Sequence, residues 1–189
     1  MMGLGMSKEY LAIPVNIPTW ITLSRLLAVP AMLWLLVSPT PLDRWIALGV
    51  FLLAAGTDWL DGYLARKLDQ VTDLGKFLDP LVDKLLVLAP LMSLVELQQV
   101  PAWGVFLILA RELTVAGWRV NPTLQTKISG ANLWGKLKTV VQIVAIALLL
   151  SPRQYPVVAL SVFWGAVALT WISGLIYLWP RSAAESGQL

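Results

Sequence analysis

Four aspartates in segment 58–84 have spacings that suit a shared metal site. Asp58 and Asp61 stand three residues apart, and Asp79 and Asp83 stand four residues apart. Residues at these spacings share one face of an α-helix, so each pair would project from one side of its helix. Carboxylates that converge on one point repel one another unless a cation lies among them. Because the chain has no histidine and no cysteine, we expect Mg²⁺ or Mn²⁺ there, with two ions shared by the four carboxylates.

Small residues accompany the aspartates on the same predicted helix faces. Gly62 and Ala65 continue the spacing of the first aspartate pair, and Gly75 precedes the second pair by four residues. A missing side chain lets a bulky ligand approach the backbone, but small residues also serve close packing between membrane helices. Both interpretations stay open for each position alone. Asp69 and Asp73 are expected to be solvated charges in the intervening loop.

The composition of the whole chain is that of an integral membrane protein. The 189 residues are 58% hydrophobic and 13% charged, whereas soluble domains carry about 25% charged residues. The absence of histidine and cysteine excludes thiolate chemistry, disulfides, the usual zinc sites and histidine-based acid–base catalysis. The formal charge of +3 on so apolar a chain favours contact with anionic lipid over nucleic acid.

Charge-poor windows predict an all-α bundle of six transmembrane helices, each needing about 20 mostly apolar residues. The windows are 20–39, 44–66, 80–97, 101–120, 134–151 and 156–179. Breaks that contain proline predict tight turns on one side of the membrane, and Pro80 is expected in the first turn of the third helix. We interpret 1–189 as a single membrane domain, with a short interfacial helix in 1–15 and a short cytoplasmic tail in 181–189.

The distribution of basic residues predicts the orientation. Of the 14 lysines and arginines, only Arg44 and Arg153 lie in the predicted tight turns, so the other side and both termini should face the cytoplasm. The uncharged stretches 45–57, 85–95 and 139–152 are shorter than the roughly 20 residues of a full span. Charged groups therefore reach into the cytoplasmic side of the bilayer, where such groups normally face the bundle interior and mark function.

The aspartate segment also resembles the signature of a known family. Residues 58–83 read Asp-x-x-Asp-Gly-x-x-Ala-Arg, then eight residues, then Gly-x-x-x-Asp-x-x-x-Asp, which is similar to the signature of the CDP-alcohol phosphatidyltransferases. The resemblance implies a six-helix bundle of the bacterial inner-membrane type that forms homodimers. It also implies a role for each residue of the motif: a dinuclear metal centre held by Asp58, Asp61, Asp79 and Asp83, a general base in Asp83, and a cytidine nucleotide site formed by Gly62, Ala65, Arg66 and Gly75.

A group of basic residues bears on the acceptor substrate: Arg111, Arg119, Lys136 and Lys138. Cations opposite a metal centre suit an acceptor that carries a phosphate, although each could instead be an interfacial anchor. Glu112 beside Arg111 predicts an internal ion pair. Together with the segment NIPTWITLSR, these residues resemble the branch of the family that transfers a phosphatidyl group from CDP-diacylglycerol to sn-glycerol 3-phosphate, with release of CMP.

Two alternatives stay open at this point. The same scaffold could use another acceptor, namely inositol phosphate, serine, or phosphatidylglycerol as in a cardiolipin synthase. Carboxylates within a membrane segment also occur in ion and proton transporters. Against transport, the aspartates crowd one end of the predicted bundle, with no ladder of polar groups through the other half.

Overall fold

The computed structural model describes residues 17–68, 73–120, 133–153 and 155–178, which form six α-helices and no strand. For 17–19, 21, 58–68, 73–77, 119–120 and 177–178 the description covers the backbone alone. The helices are α1 (Ile17–Leu35), α2 (Pro41–Leu68), α3 (Asp73–Glu96), α4 (Ala102–Val120), α5 (Leu133–Leu150) and α6 (Pro156–Leu178). The predicted all-α architecture with six helices is confirmed, whereas the interfacial helix in 1–15 and the tail 181–189 lie outside the described residues.

An apolar core joins all six helices. α1 packs against α2 and α3, α4 packs against α3 and α6, and α5 packs against α2, α3 and α6. Each helix contributes buried side chains, among them Met32, Phe51, Leu91, Ile108, Ile146 and Phe163. This packing brings the first turns of α3 and α5, and the last turns of α2 and α4, to the same end of the bundle.

The outer surface of the bundle is also apolar. Large hydrophobic side chains point outward, including Trp34 at 78% exposure and Leu53 at 72%. α5 and residues 156–176 of α6 are long and apolar enough to cross a membrane, and residues 22–35 of α1 form a shorter apolar stretch. Contiguous exposed apolar surface is rare on soluble monomers, so this exterior indicates contact with lipid.

A reciprocal cap fixes the start of α2. The Asp43 carboxylate accepts hydrogen bonds from the hydroxyl and the backbone N–H of Thr40, at 2.6 and 2.9 Å, and the Asp43 N–H donates to the Thr40 hydroxyl at 3.3 Å. The hydroxyl first, and then the N–H, hold the pKa of Asp43 below its ordinary value. These bonds satisfy donors that a helix start would otherwise leave open.

The start of α3 differs from the prediction in two respects. The helix begins at Asp73, so this residue is not a loop charge, and a carboxylate at a helix start is favoured by the helix dipole. Pro80 lies seven residues further on, inside α3, so its expected place in the first turn is wrong. The proline removes one backbone donor without ending the helix, and Asp79 and Asp83 keep their helical spacing.

Arg44 is buried at the end of the bundle opposite Asp79 and Asp83, and it is not an exposed turn charge. Its Nη1 donates to Gln99 Oε1 at 3.3 Å and to the Leu149 carbonyl at 3.5 Å, and the residue is 8% exposed. The adjoining turn closes α3 through Gln98, whose φ of 57° is left-handed. The sequence pattern located these turns but did not predict that Arg44 connects them.

Candidate active site

The aspartates of α3 are held by α1. Thr22 Oγ1 donates to Asp79 Oδ1 at 2.6 Å, and Arg25 Nη1 donates to Asp83 Oδ1 at 2.8 Å. Arg25 Nη2 also lies 3.9 Å from Asp79 Oδ1. Thr22 and Arg25 are each 2% exposed, whereas the side chains of Asp79 and Asp83 are 47% and 43% exposed. The two carboxylates are therefore anchored on one side and open to ligands on the other.

Helical spacing on two packed helices explains this contact. Thr22 and Arg25 stand three residues apart on α1, and Asp79 and Asp83 stand four apart on α3, so each pair shares a face. Because α1 and α3 pack together, the two faces meet. A buried guanidinium is stable only when it is paired, and the carboxylates supply the pair.

The remaining residues of the predicted metal and nucleotide sites lie on the same two helices. Asp58, Asp61, Gly62, Ala65 and Arg66 belong to the last turns of α2, and Gly75 belongs to the first turn of α3. The predicted helical spacing is therefore present in the backbone on both sides of the short connection. The side chains of these residues lie outside the description, so the convergence of four carboxylates stays a prediction.

The described half of the predicted metal site has suitable donor chemistry. Asp79 and Asp83 offer carboxylate oxygens on successive turns, and hard divalent cations prefer such oxygens. Among the described side chains, no three acidic groups come together, and Asp58 and Asp61 are not among them. The residues fit Mg²⁺ or Mn²⁺, with α2 needed to complete the ligand set.

Two of the predicted acceptor residues meet at one carboxylate. Glu112 Oε1 accepts from Lys138 Nζ at 2.5 Å and from Arg111 Nη1 at 3.2 Å. Arg111 Nη2 also donates to Ser173 Oγ at 2.8 Å, and Arg111 Nε has no hydrogen-bond partner among the described residues. The predicted internal pair of Arg111 and Glu112 is confirmed, and Lys138, which is 8% exposed, is too buried to be an interfacial anchor.

The other two predicted acceptor residues are placed differently. Lys136 is exposed on α5, so it does not join the ion-paired group. Arg119 lies near the end of α4, and its side chain is outside the description. The structure thus brings Arg111 and Lys138 together, leaves Lys136 at the surface and does not test Arg119.

A cleft connects Asp83 with Lys138 and its partner Glu112. It lies between α3, α4 and α5, has a volume of about 170 Å³, and carries Asp83 and Lys84 on one wall with Glu112 and Lys138 on another. Its remaining lining is mostly apolar, including Leu88, Leu91, Val105 and Ile108. A small ligand in this cleft would have a carboxylate and a lysine on each side.

Thr22 and Arg25 are site residues that the sequence reasoning did not select. Both lie in the segment NIPTWITLSR, but neither its resemblance nor the charge distribution assigns them a role in the site. Arg25 is, however, the single charged residue between Glu9 and Asp43. A lone charge in an apolar helix normally faces a partner in the bundle interior, and this signal could have identified it.

In the described part of the chain, the helical bundle with its apolar exterior and a cleft of ionisable groups at one end is typical of an α-helical membrane protein. A family model described as CDP-alcohol phosphatidyltransferase matches residues 15–172, and the chain belongs to this family. The family is described by the transfer of a phosphatidyl group, so the protein is a phosphatidyltransferase.

Two bacterial relatives are similar over nearly their whole length, and a plant relative is similar over about half of its length. A CDP-diacylglycerol--glycerol-3-phosphate 3-phosphatidyltransferase of Bacillus subtilis is 39% identical over 179 residues, covering 86% of this chain and 93% of that protein. The protein of the same name from Shigella flexneri is 37% identical, with 92% and 97% covered. A cardiolipin synthase (CMP-forming) of Oryza sativa is 34% identical, covering 87% of this chain and 55% of that protein.

Proposed function

We propose that this protein transfers the phosphatidyl group of CDP-diacylglycerol to sn-glycerol 3-phosphate, giving phosphatidylglycerol phosphate and CMP. One observation carries the proposal: Asp83 lines the same cleft as Lys138 and its partner Glu112. The reaction needs a proton acceptor beside the attacking hydroxyl and cations beside the acceptor's phosphate, and the cleft offers both. The printed names of the Bacillus and Shigella relatives support the same pair of substrates.

The proposed chemistry assigns the proton to Asp83. A hydroxyl of the acceptor loses its proton to the Asp83 carboxylate as its oxygen attacks the phosphorus that bears the diacylglycerol. The new bond joins that oxygen to the phosphorus, and the bond from the phosphorus to the CMP oxygen breaks. Asp58, Asp61, Asp79 and Asp83 would hold Mg²⁺ or Mn²⁺, which would neutralise the charge of the pyrophosphate.

The proposal places the two substrates on different helices. The cytidine nucleotide would lie along α2 and the start of α3, beside Gly62, Ala65, Arg66 and Gly75. The acceptor's phosphate would lie against α4 and α5, where Arg111 offers a planar fork of donors and Lys138 a point charge. Arg119 and Lys136 would contribute longer-range attraction.

The membrane arrangement is also part of the proposal. We infer that all six helices span the bilayer, that the site and both termini face the cytoplasm, and that two copies form a homodimer. The apolar exterior supports the spanning arrangement. The orientation rests on the excess of lysine and arginine on one side of the membrane. The burial of Arg44 increases this excess, because a buried, hydrogen-bonded cation does not count among the exposed charges of the opposite side.

Phosphatidylglycerol is the second candidate acceptor, because it also carries a phosphate and the rice relative bears the name of a cardiolipin synthase. Serine lacks the phosphate that a paired arginine and lysine would bind. The family of this chain is an enzyme family, which disfavours ion or proton transport as its function.

The decisive experiment follows the lipid product. Purified protein in detergent would be given CDP-diacylglycerol with a labelled phosphatidyl group, Mn²⁺, and one acceptor at a time: glycerol 3-phosphate, phosphatidylglycerol, inositol phosphate or serine. Thin-layer chromatography should show phosphatidylglycerol phosphate with glycerol 3-phosphate, together with stoichiometric CMP. Cardiolipin from phosphatidylglycerol, with no product from glycerol 3-phosphate, would replace the first candidate by the second.

A further inference from the structure

α1 contacts both carboxylates of α3 but supplies no reacting group to the proposed transfer. We propose that Arg25 and Thr22 are positioning residues, which orient the carboxylates of Asp83 and Asp79 for metal binding and proton transfer. The kinetic part of this inference rests on the proposed function. The structural part, the orientation of two metal-binding carboxylates by α1, can be tested without substrates.

Arg25 anchors Asp83 on one side, and the cleft lies on the other. Arg25 Nη1 donates to Asp83 Oδ1 at 2.8 Å, and Asp83 also lines the cleft that contains Lys138. Because the guanidinium is planar and Arg25 is 2% exposed, the arginine cannot follow the carboxylate into solvent. Arg25 therefore sets the rotation of Asp83 relative to the cleft.

Charge distinguishes the two positioning residues. Arg25 lies near both carboxylates, 2.8 Å from Asp83 and 3.9 Å from Asp79, and its positive charge offsets part of their mutual repulsion. Thr22 donates a neutral hydrogen bond to Asp79 at 2.6 Å and adds no charge. Removing Thr22 should therefore disturb orientation alone, whereas removing Arg25 changes both orientation and local charge.

Thr22→Val tests the orientation of Asp79. Thr170→Val is the matched control, because Thr170 is also fully buried and hydrogen-bonded, but on α6 and to Gln142. Calorimetric titration with Mn²⁺, without substrates, should show about tenfold weaker binding to Thr22→Val, since groups that orient metal ligands typically contribute such factors. The Mn²⁺ affinity of Thr170→Val should stay close to that of the parent protein.

Arg25→Gln tests the orientation of Asp83. Its matched control is Arg44→Gln, which removes a buried arginine from the opposite end of the bundle. Per folded molecule, Arg25→Gln should lower kcat by about a hundredfold while the KM for glycerol 3-phosphate changes little, and Arg25→Lys should recover about tenfold. Its Mn²⁺ affinity should fall less than that of Thr22→Val, because a repelling cation has been removed.

The outcomes separate this inference from the proposed function. Equal Mn²⁺ affinity in Thr22→Val and the parent, or equal kcat in Arg25→Gln and Arg44→Gln, would overturn the positioning roles. Parallel losses of kcat and melting temperature in both arginine variants would show a purely structural role. If the parent protein forms no product with any acceptor, the proposed function has failed, and the Mn²⁺ comparison of Thr22→Val with Thr170→Val still decides the inference.

Discussion

Glu112 on α4 and Lys138 on α5 form an ion pair at one wall of the cleft, with Arg111 bound to the same carboxylate oxygen. Two of the four predicted phosphate ligands, Arg111 and Lys138, are therefore already paired inside the protein. Buried cations require such a partner, because an unpaired charge in the bundle is costly. The carboxylate consequently holds Arg111 and Lys138 close to each other and fixes where an incoming phosphate can bind.

Glu112→Gln should weaken binding of the acceptor. The amide keeps the shape but not the charge, so Arg111 and Lys138 repel each other and separate. A charge-assisted hydrogen bond contributes about 1.5–3 kcal/mol, which predicts a rise of roughly tenfold to a hundredfold in the KM for glycerol 3-phosphate. The KM for CDP-diacylglycerol should hardly change. Glu96→Gln, at the exposed far end of α3, is the control, and an equal response of both variants would contradict the role of Glu112.

Lys138→Ala and Lys136→Ala should differ, although both lysines were predicted to bind the acceptor. Lys138 is buried beside Glu112, whereas Lys136 is exposed and screened by water. Steady-state kinetics should show a rise in the acceptor's KM of at least about tenfold for Lys138→Ala and only about twofold for Lys136→Ala. A larger rise in KM for Lys136→Ala than for Lys138→Ala would indicate that the phosphate binds at the surface of α5.

Gly174→Ala on α6 should displace the side chain of Arg111. A Cβ atom at Gly174 would lie 3.0 Å from both Cγ and Nε of Arg111, so the arginine must shift. Overpacking of this kind costs about 1–3 kcal/mol, and we expect the KM for glycerol 3-phosphate to rise about tenfold. Gly165→Ala on the same helix meets nothing within 4 Å and should leave the kinetics unchanged. Identical kinetics for the two variants would refute the contact.

Asp83→Asn should abolish turnover while nucleotide binding persists. The amide can still accept a hydrogen bond, but it cannot take the proton of the attacking hydroxyl. General-base catalysis typically contributes about 10²–10⁴-fold, so a loss of that size is expected in the CMP release assay. Asp43→Asn at the opposite end of the bundle is the control. Near-normal CMP release from Asp83→Asn would assign the proton to another group.

Thr40→Val should reduce thermal stability in a pH-dependent way. The hydrogen bonds of Thr40 lower the pKa of Asp43, so their contribution is present above the unfolded-state pKa and is lost as the pH falls through the folded-state pKa. Loss of a cap in a protein of this size predicts a decrease of about 2–4 °C in Tm at neutral pH. The difference between variant and parent should narrow in acid, and a widening would contradict this account.

Periodicity and charge predicted the helices, because apolar windows and proline-containing breaks are local properties of the sequence. They placed the start of α3 too late, since Pro80 was assigned to the first turn whereas the helix accommodates it internally. Contacts between distant residues could not be predicted in the same way. Thr22 meets Asp79 and Glu112 meets Lys138 only because helices pack, and a one-dimensional pattern does not contain that packing. Glu112 was found because its partner Arg111 is its neighbour in sequence.

Arg44 has a consequence for how a lipid reaches the cleft. Its hydrogen bonds connect the start of α2, the turn after α3 and the last turn of α5, all at the end away from Asp83. Separation of the helices at the Asp83 end leaves these bonds intact, and local opening costs less free energy than unfolding the whole bundle. We therefore expect a phospholipid to reach the cleft when the helices separate at the Asp83 end. Amide hydrogens near Arg44 should then exchange more slowly than those near the cleft.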